Sequence, residues 1–100
     1  MNNLQWLQKF YLSNCNEDWE HTYGISIATL DNPGWRIDID LRDMILEGKK
    51  FKEMHVERNN NDWTMCRVEN NVFKGDGGPE NLEEIIGIFR NWATENGCFV

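Results

Sequence analysis

The sequence predicts an α+β domain: a four-stranded antiparallel meander with an N-terminal and a C-terminal helix on one face, in the order α-β-β-β-β-α. Three observations predict it. Apolar residues recur at helical spacing at both ends of the chain. Strict alternation of apolar and charged residues runs through Trp35–Arg42. Two strand-like runs then flank an asparagine-rich break at residues 59–61. The 100 residues suffice for a single domain with one core.

In chain order, Leu4, Leu7, Phe10 and Tyr11, with Trp6 beside them, give residues 3–14 a broad apolar helical face. The pattern lapses at Ser13–Asn16, and an aromatic-acidic loop follows, Glu17-Asp18-Trp19-Glu20-His21. Tyr23–Leu30 reads as a strand. Asp31-Asn32-Pro33-Gly34 is predicted to be a type II turn, with proline presetting φ and glycine supplying the positive φ. In the next strand Trp35, Ile37, Ile39 and Leu41 share one face, and Arg36, Asp38, Asp40 and Arg42 share the other. Asp43–Lys50 carries no periodicity that assigns it.

Phe51–Arg58 and Asp62–Asn70 form a hairpin around Asn59-Asn60-Asn61. Pairing Arg58 with Asp62 sets Met54 opposite Cys66, apolar against apolar, and Glu53 opposite Arg67, charge against countercharge. That register turns Trp63 and Met65 to the polar face; a slip of one residue would reverse them. Val72-Phe73-Lys74 leads into a glycine loop, Gly75-Asp76-Gly77-Gly78, and Pro79 is expected to open the last helix. Glu80, Glu83 and Glu84 suit the positive end of that helix, Leu82, Ile85, Ile86, Phe89, Trp92 and Ala93 form its buried stripe, and Asn96-Gly97 stops it.

Composition bounds function next. Hydrophobic residues at 40% and charged residues at 27% belong to a folded chain rather than a disordered one. Five tryptophans in so short a chain must mostly be core. Seventeen acidic against ten basic residues leave a net charge of −7. That balance argues against nucleic acid, which demands a basic footprint, and against anionic membranes. It suits a basic protein partner. Cys15, Cys66 and Cys98 cannot all pair and match no disulfide frame. Met1-Asn2-Asn3-Leu4 lacks the basic start and apolar run of a signal peptide. A cytoplasmic location with free thiols is therefore expected.

Tests for chemistry return little. Cys66 falls mid-strand on the inner face, and Cys66-Arg67-Val68-Glu69 continues as strand rather than curling into an anion-cradling loop. Cys15, Glu20, His21 and His55 lack metal-ligand spacing, so no metal and no cofactor is expected. Gly75-x-Gly77-Gly78 before a helix invites a phosphate reading. Asp76, the following glutamates and the missing Lys-Ser/Thr speak against it. Asp38 and Asp40 point the same way but stand between Arg36 and Arg42, as in a solvated sheet face. A tryptophan among acidic residues on that face, Trp63, has the composition of an interface hot spot.

Several segments together resemble one family. They are Trp6-Leu7 with Tyr11, Asp18-Trp19-Glu20-His21-x-Tyr23-Gly24-Ile25, Thr29-Leu30-Asp31-Asn32-Pro33-Gly34-Trp35, Asp62-Trp63, and Phe73-x-Gly75-x-Gly77-x-Pro79-x-Asn81-Leu82. The chain resembles the immunity protein 53 family of bacterial polymorphic toxin systems across nearly its whole length. The resemblance implies a small cytoplasmic inhibitor, without cofactor, that binds a cognate toxin and protects the producing cell. It carries over no mapped binding surface.

Two surfaces are the candidates for partner binding. One is the loop of Asp18, Glu20 and His21, with Trp19 tucked beneath it. The other is the outer sheet face of Asp38, Asp40, Glu57 and Trp63. Their carboxylates could stand in for phosphates in the basic groove of a nuclease toxin. The competing functions are a small enzyme using the acidic face or the Trp19-Glu20-His21 loop, and a scaffold or oligomerisation domain.

Overall fold

The computed structural model describes all residues, Met1–Val100. Its elements are α1 (Asn3–Asn14), α2 (Trp19–Thr22), β1 (Ile25–Leu30), β2 (Gly34–Asp40), β3 (Met54–Asn59), β4 (Asp62–Glu69), β5 (Val72–Gly77) and α3 (Leu82–Glu95). All five strands form one antiparallel sheet in the order β1-β2-β5-β4-β3. The four-stranded meander is thus corrected in two ways. The segment expected as a glycine loop is the central strand, and β2 pairs with β5 instead of with β3.

The reason lies in β5's inner face. Phe73, Gly75 and Gly77 point toward the helices, so two of its three inward positions carry no side chain. A Cβ at Gly75 would collide with Ile85 Cγ2 and stand 3.1 Å from Ile37 Cγ2; at Gly77 it would stand 2.7 Å from Ile85 Cδ1. The glycines let α3 settle directly on the middle of the sheet. Gly34 acts similarly: its φ is not positive, and a Cβ there would strike the Gly77 carbonyl. The expected type II turn is instead a three-residue connection, Asp31-Asn32-Pro33, between Leu30 and Gly34.

The two longer helices, α1 and α3, cover one face of the sheet. Asn2 caps α1 through a capping box, its Oδ1 accepting from Gln5 N at 2.8 Å while Gln5 Oε1 accepts from Asn2 N at 3.2 Å. The core joins Trp6, Leu7 and Phe10 of α1, Ile37 and Ile39 of β2, Cys66 and Phe73, and Ile85, Ile86, Phe89, Trp92 and Ala93 of α3. Phe10 and Phe89 meet edge to face at 5.1 Å. The crossing from β2 to β3 takes in Asp43–Lys50, which the sequence leaves unassigned, and also Phe51–Glu53, expected as strand, since β3 starts only at Met54. It inserts the fully buried Leu46 into this core. α3 begins at Leu82 with Asn81 at its N-cap position, so Pro79 lies in the preceding turn and not at the first helical residue. No helix is long and apolar enough to cross a membrane.

The β3–β4 hairpin keeps the predicted register for Met54↔Cys66 through Glu57↔Trp63. It differs at the tip, where the pairing shifts across Arg58 and Asn59 pairs with Asp62 around Asn60-Asn61. Freed from the ladder, Arg58 reaches across to α3. It donates to Asp62 Oδ1 at 2.6 Å and bidentately to Glu84 at 3.2 and 2.7 Å. Asn81 completes the clamp, donating to Asp62 Oδ1 and Glu84 Oε1 and accepting from Trp63 N.

Candidate functional site

The outer sheet face, opposite the helices, is built from alternate residues of each strand. Ser26, Asp38, Lys74 and Arg67 lie on one cross-strand row, and Ala28, Arg36, Asp76, Met65 and His55 on another. Charges of both signs therefore alternate. Arg36 Nε sits 2.9 Å from Asp76, Lys74 Nζ 3.1 Å from Glu69, and Arg67 Nε 3.7 Å from Glu69. The Lys74 ammonium, with Arg67 beside it, holds the Glu69 carboxyl below the ordinary carboxylate range. Around Asp38 the surface is mixed rather than acidic: Arg36, Arg67, Lys74 and Asp76 line the same shallow depression.

The seven candidate contact residues do not form one patch. Asp40 is paired with Val72 at one end of the central strands. Trp63 lies beyond Thr64↔Gly77 at the other end, about 20 Å away along the strand direction at ~3.3 Å per residue. Asp38 lies between them. The loop joins the Asp40 end: Trp19, 1% exposed, donates its indole N–H to Asp40 O at 3.1 Å. Trp19 thus sits beneath the loop, leaving Asp18 and His21 at the surface.

Two of the carboxylates are engaged by backbone. Glu20 Oε1 accepts from Asn16 N at 2.8 Å and Oε2 from Glu17 N at 2.7 Å, closing the loop on itself. Backbone amides, its own first and then those of Asn16 and Glu17, hold the Glu20 carboxyl below its ordinary value. Asp40 Oδ1 accepts from Arg42 N at 3.0 Å, and the Arg42 guanidinium lies over the Tyr23 ring at 5.1 Å. Neither carboxylate offers two unengaged oxygens to a partner.

Glu57 and Trp63 stand differently. They face one another across β3 and β4, with His55 Nε2 3.7 Å from Glu57 Oε2. Trp19, Trp35 and Trp92 donate their indole N–H groups to carbonyls of Asp40, Pro79 and Lys50. The half-buried Trp63 makes no such bond, and its ring lies outside the hydrophobic core and outside every aromatic pair. Trp6 also lacks an indole hydrogen bond but is packed in the core against Phe10 and Phe89, so Trp63 is the tryptophan that has neither.

The two buried thiols, Cys66 and Cys98, show no sign of activation. Burial pushes the Cys66 thiol up to about 12, and burial also raises Cys98, opposite to what a nucleophile needs. No group of three or more His, Cys, Asp or Glu side chains is arranged to hold a metal ion. The largest cavity is an open groove of about 470 Å³ between the approach to β3 and the outer flank of α3. Sequence reasoning missed it because its walls are some forty residues apart in the chain.

No curated protein and no solved structure matches the chain. A family model does, and it spans residues 4–94, from the first turn of α1 to the last turn of α3. The match takes in the loop over Trp19, the β1–β2 connection, the Asp62–Asn81 clamp and the glycines under α3, and the chain belongs to the immunity protein 53 family.

Proposed function

We propose that this chain is a cytoplasmic immunity protein of a polymorphic toxin system, which binds a cognate toxin domain stoichiometrically and blocks it without turnover. The observation that carries the reading is the family match over residues 4–94. The geometry agrees with it in one respect above all. A tryptophan with an unbonded indole N–H lies on a sheet face beside an exposed glutamate, the composition that anchors interfaces.

Within the two candidate surfaces, the contacts fall to residues whose side chains are not already engaged by backbone. On the sheet these are Asp38, Glu57 and Trp63; on the loop, Asp18 and His21. Glu20 and Asp40 shape the loop and the end of β2 that present them. The net charge of −7 favours a basic toxin, and a nuclease whose phosphate-binding groove accepts these carboxylates fits it best.

The test is to measure binding of the chain to the toxin domain encoded next to its gene, at low and at high salt. A tight complex that weakens steeply with salt supports the phosphate-mimic form. A tight complex indifferent to salt retains the immunity reading and overturns the electrostatic one. Absence of binding overturns both.

A further inference from the structure

The groove beside α3 has a chemical character of its own. Its floor is apolar: Phe51 and Trp92 meet edge to face at 5.4 Å, flanked by Ile88 and by Met54, which is 38% exposed. The floor is also fixed in place, because the Trp92 indole donates to Lys50 O at 2.8 Å and Phe51 packs on Phe73 at 5.5 Å. Two exposed carboxylates, Glu53 and Glu95, stand on the rim with Lys52 and Asn91. The ion pairs of the molecule involve neither of these glutamates. Elsewhere on α3 the carboxylate of Glu84 is spent on Arg58.

An apolar aromatic floor under two carboxylates that no ion pair engages selects a side chain that is greasy along its length and cationic at its tip. Lysine and arginine have that form: their methylene stems cover apolar surface while the head stays polar. Their cations are drawn both to carboxylates and to aromatic rings. The groove also runs beside β3, an edge strand of the sheet, so an extended segment can lie along it. Glu57 and Trp63 belong to the same hairpin on the opposite face of the sheet. A partner wrapped around the β3 edge would touch both.

Resting on the immunity reading, we propose that the groove between Phe51–Met54 and α3 receives a basic segment of the toxin. A lysine or arginine stem lies on Phe51, Met54 and Ile88, and its cation sits between Glu53 and Glu95.

The test titrates the toxin domain encoded next to this gene into three forms of the full chain at low ionic strength. These are the unaltered protein, Glu53→Lys/Glu95→Lys, and the control Asp31→Lys/Glu47→Lys. The control carries the same change in net charge on exposed residues outside the groove. The proposal expects the groove double variant to bind at least about tenfold more weakly and the control to change by less than about threefold. The isosteric Glu53→Gln/Glu95→Gln form should weaken in the same direction, which guards against misfolding of the lysine form. Equal weakening of both lysine variants would show bulk charge at work and overturn the groove. Unaltered binding by the groove variants would overturn it while leaving the immunity function standing. If the unaltered chain itself fails to bind, the immunity reading falls and the groove's occupant with it.

Discussion

Single residues divide here by what their polar atoms are already doing. Glu20 and Asp18 look alike in the sequence, yet Glu20 closes the loop on the amides of Asn16 and Glu17. Glu20→Ala is therefore expected to remove the hydrogen-exchange protection of those two amides and to loosen the seat over Trp19. Unchanged exchange at both would show the carboxylate to be dispensable. Trp63 is the converse case. Its truncation to alanine removes a ring outside the core, so toxin binding should weaken by about 2 kcal/mol or more, roughly thirtyfold, as expected of a hot spot. The melting temperature should move little. A large loss of stability with unaltered affinity would reverse that assignment. The outward placement of Trp63 was legible, because the hairpin register set by Met54 and Cys66 determines it. The engagement of Glu20 and Asp40 was not, because backbone amides leave no mark in a side-chain pattern.

Elements were legible where their inward positions carried large side chains. β2 announces itself through Ile37 and Ile39, and α3 through Ile85, Ile86 and Phe89. β5 alternates just as strictly, but its inward positions are Phe73, Gly75 and Gly77, so hydrophobic periodicity is silent there and the glycines read as a loop. Missing this central strand also misplaced β2's partner. Gly75→Ala tests the account of β5: the added methyl meets Ile85 and Ile37, and the domain should lose about 1–3 kcal/mol through overpacking. A neutral substitution would mean that α3 does not sit so close.

The Arg58 clamp gives a pH prediction at this scale. The Asp62 carboxyl is lowered from 3.8 by Asn81 and then Arg58, and Glu84 is lowered from 4.5 mainly by Arg58. A carboxylate with a depressed folded-state pKa stabilises fully above its ordinary value, and the effect is lost as pH falls through the depressed one. Arg58→Met should thus lower the melting temperature near neutral pH, and the gap to the unaltered chain should narrow as pH falls through the depressed values of the two carboxyls. A gap that persisted in acid would mean that Arg58 acts through its packing rather than its charge.

At the scale of the whole molecule, one face of the sheet is spent on the core, and the other is crossed by ion pairs that neutralise much of it locally. The net charge of −7 is therefore not the property of one acidic face. It resides in exposed carboxylates at the margins, among them Asp18, Glu53, Glu57 and Glu95. Such a distribution suits a protein that accelerates encounter with a basic partner and fixes the docked complex through a few apolar anchors. The proposed mode of action is inhibition by occupancy. The most direct measurement is the activity of a candidate cognate toxin domain, titrated with this chain at toxin concentrations well above the dissociation constant. Inhibition by occupancy predicts a linear fall to zero with a sharp break at equivalence, and a complex that contains both chains intact. Toxin activity that persists past equivalence, or is abolished by far less than an equivalent of this chain, would contradict it.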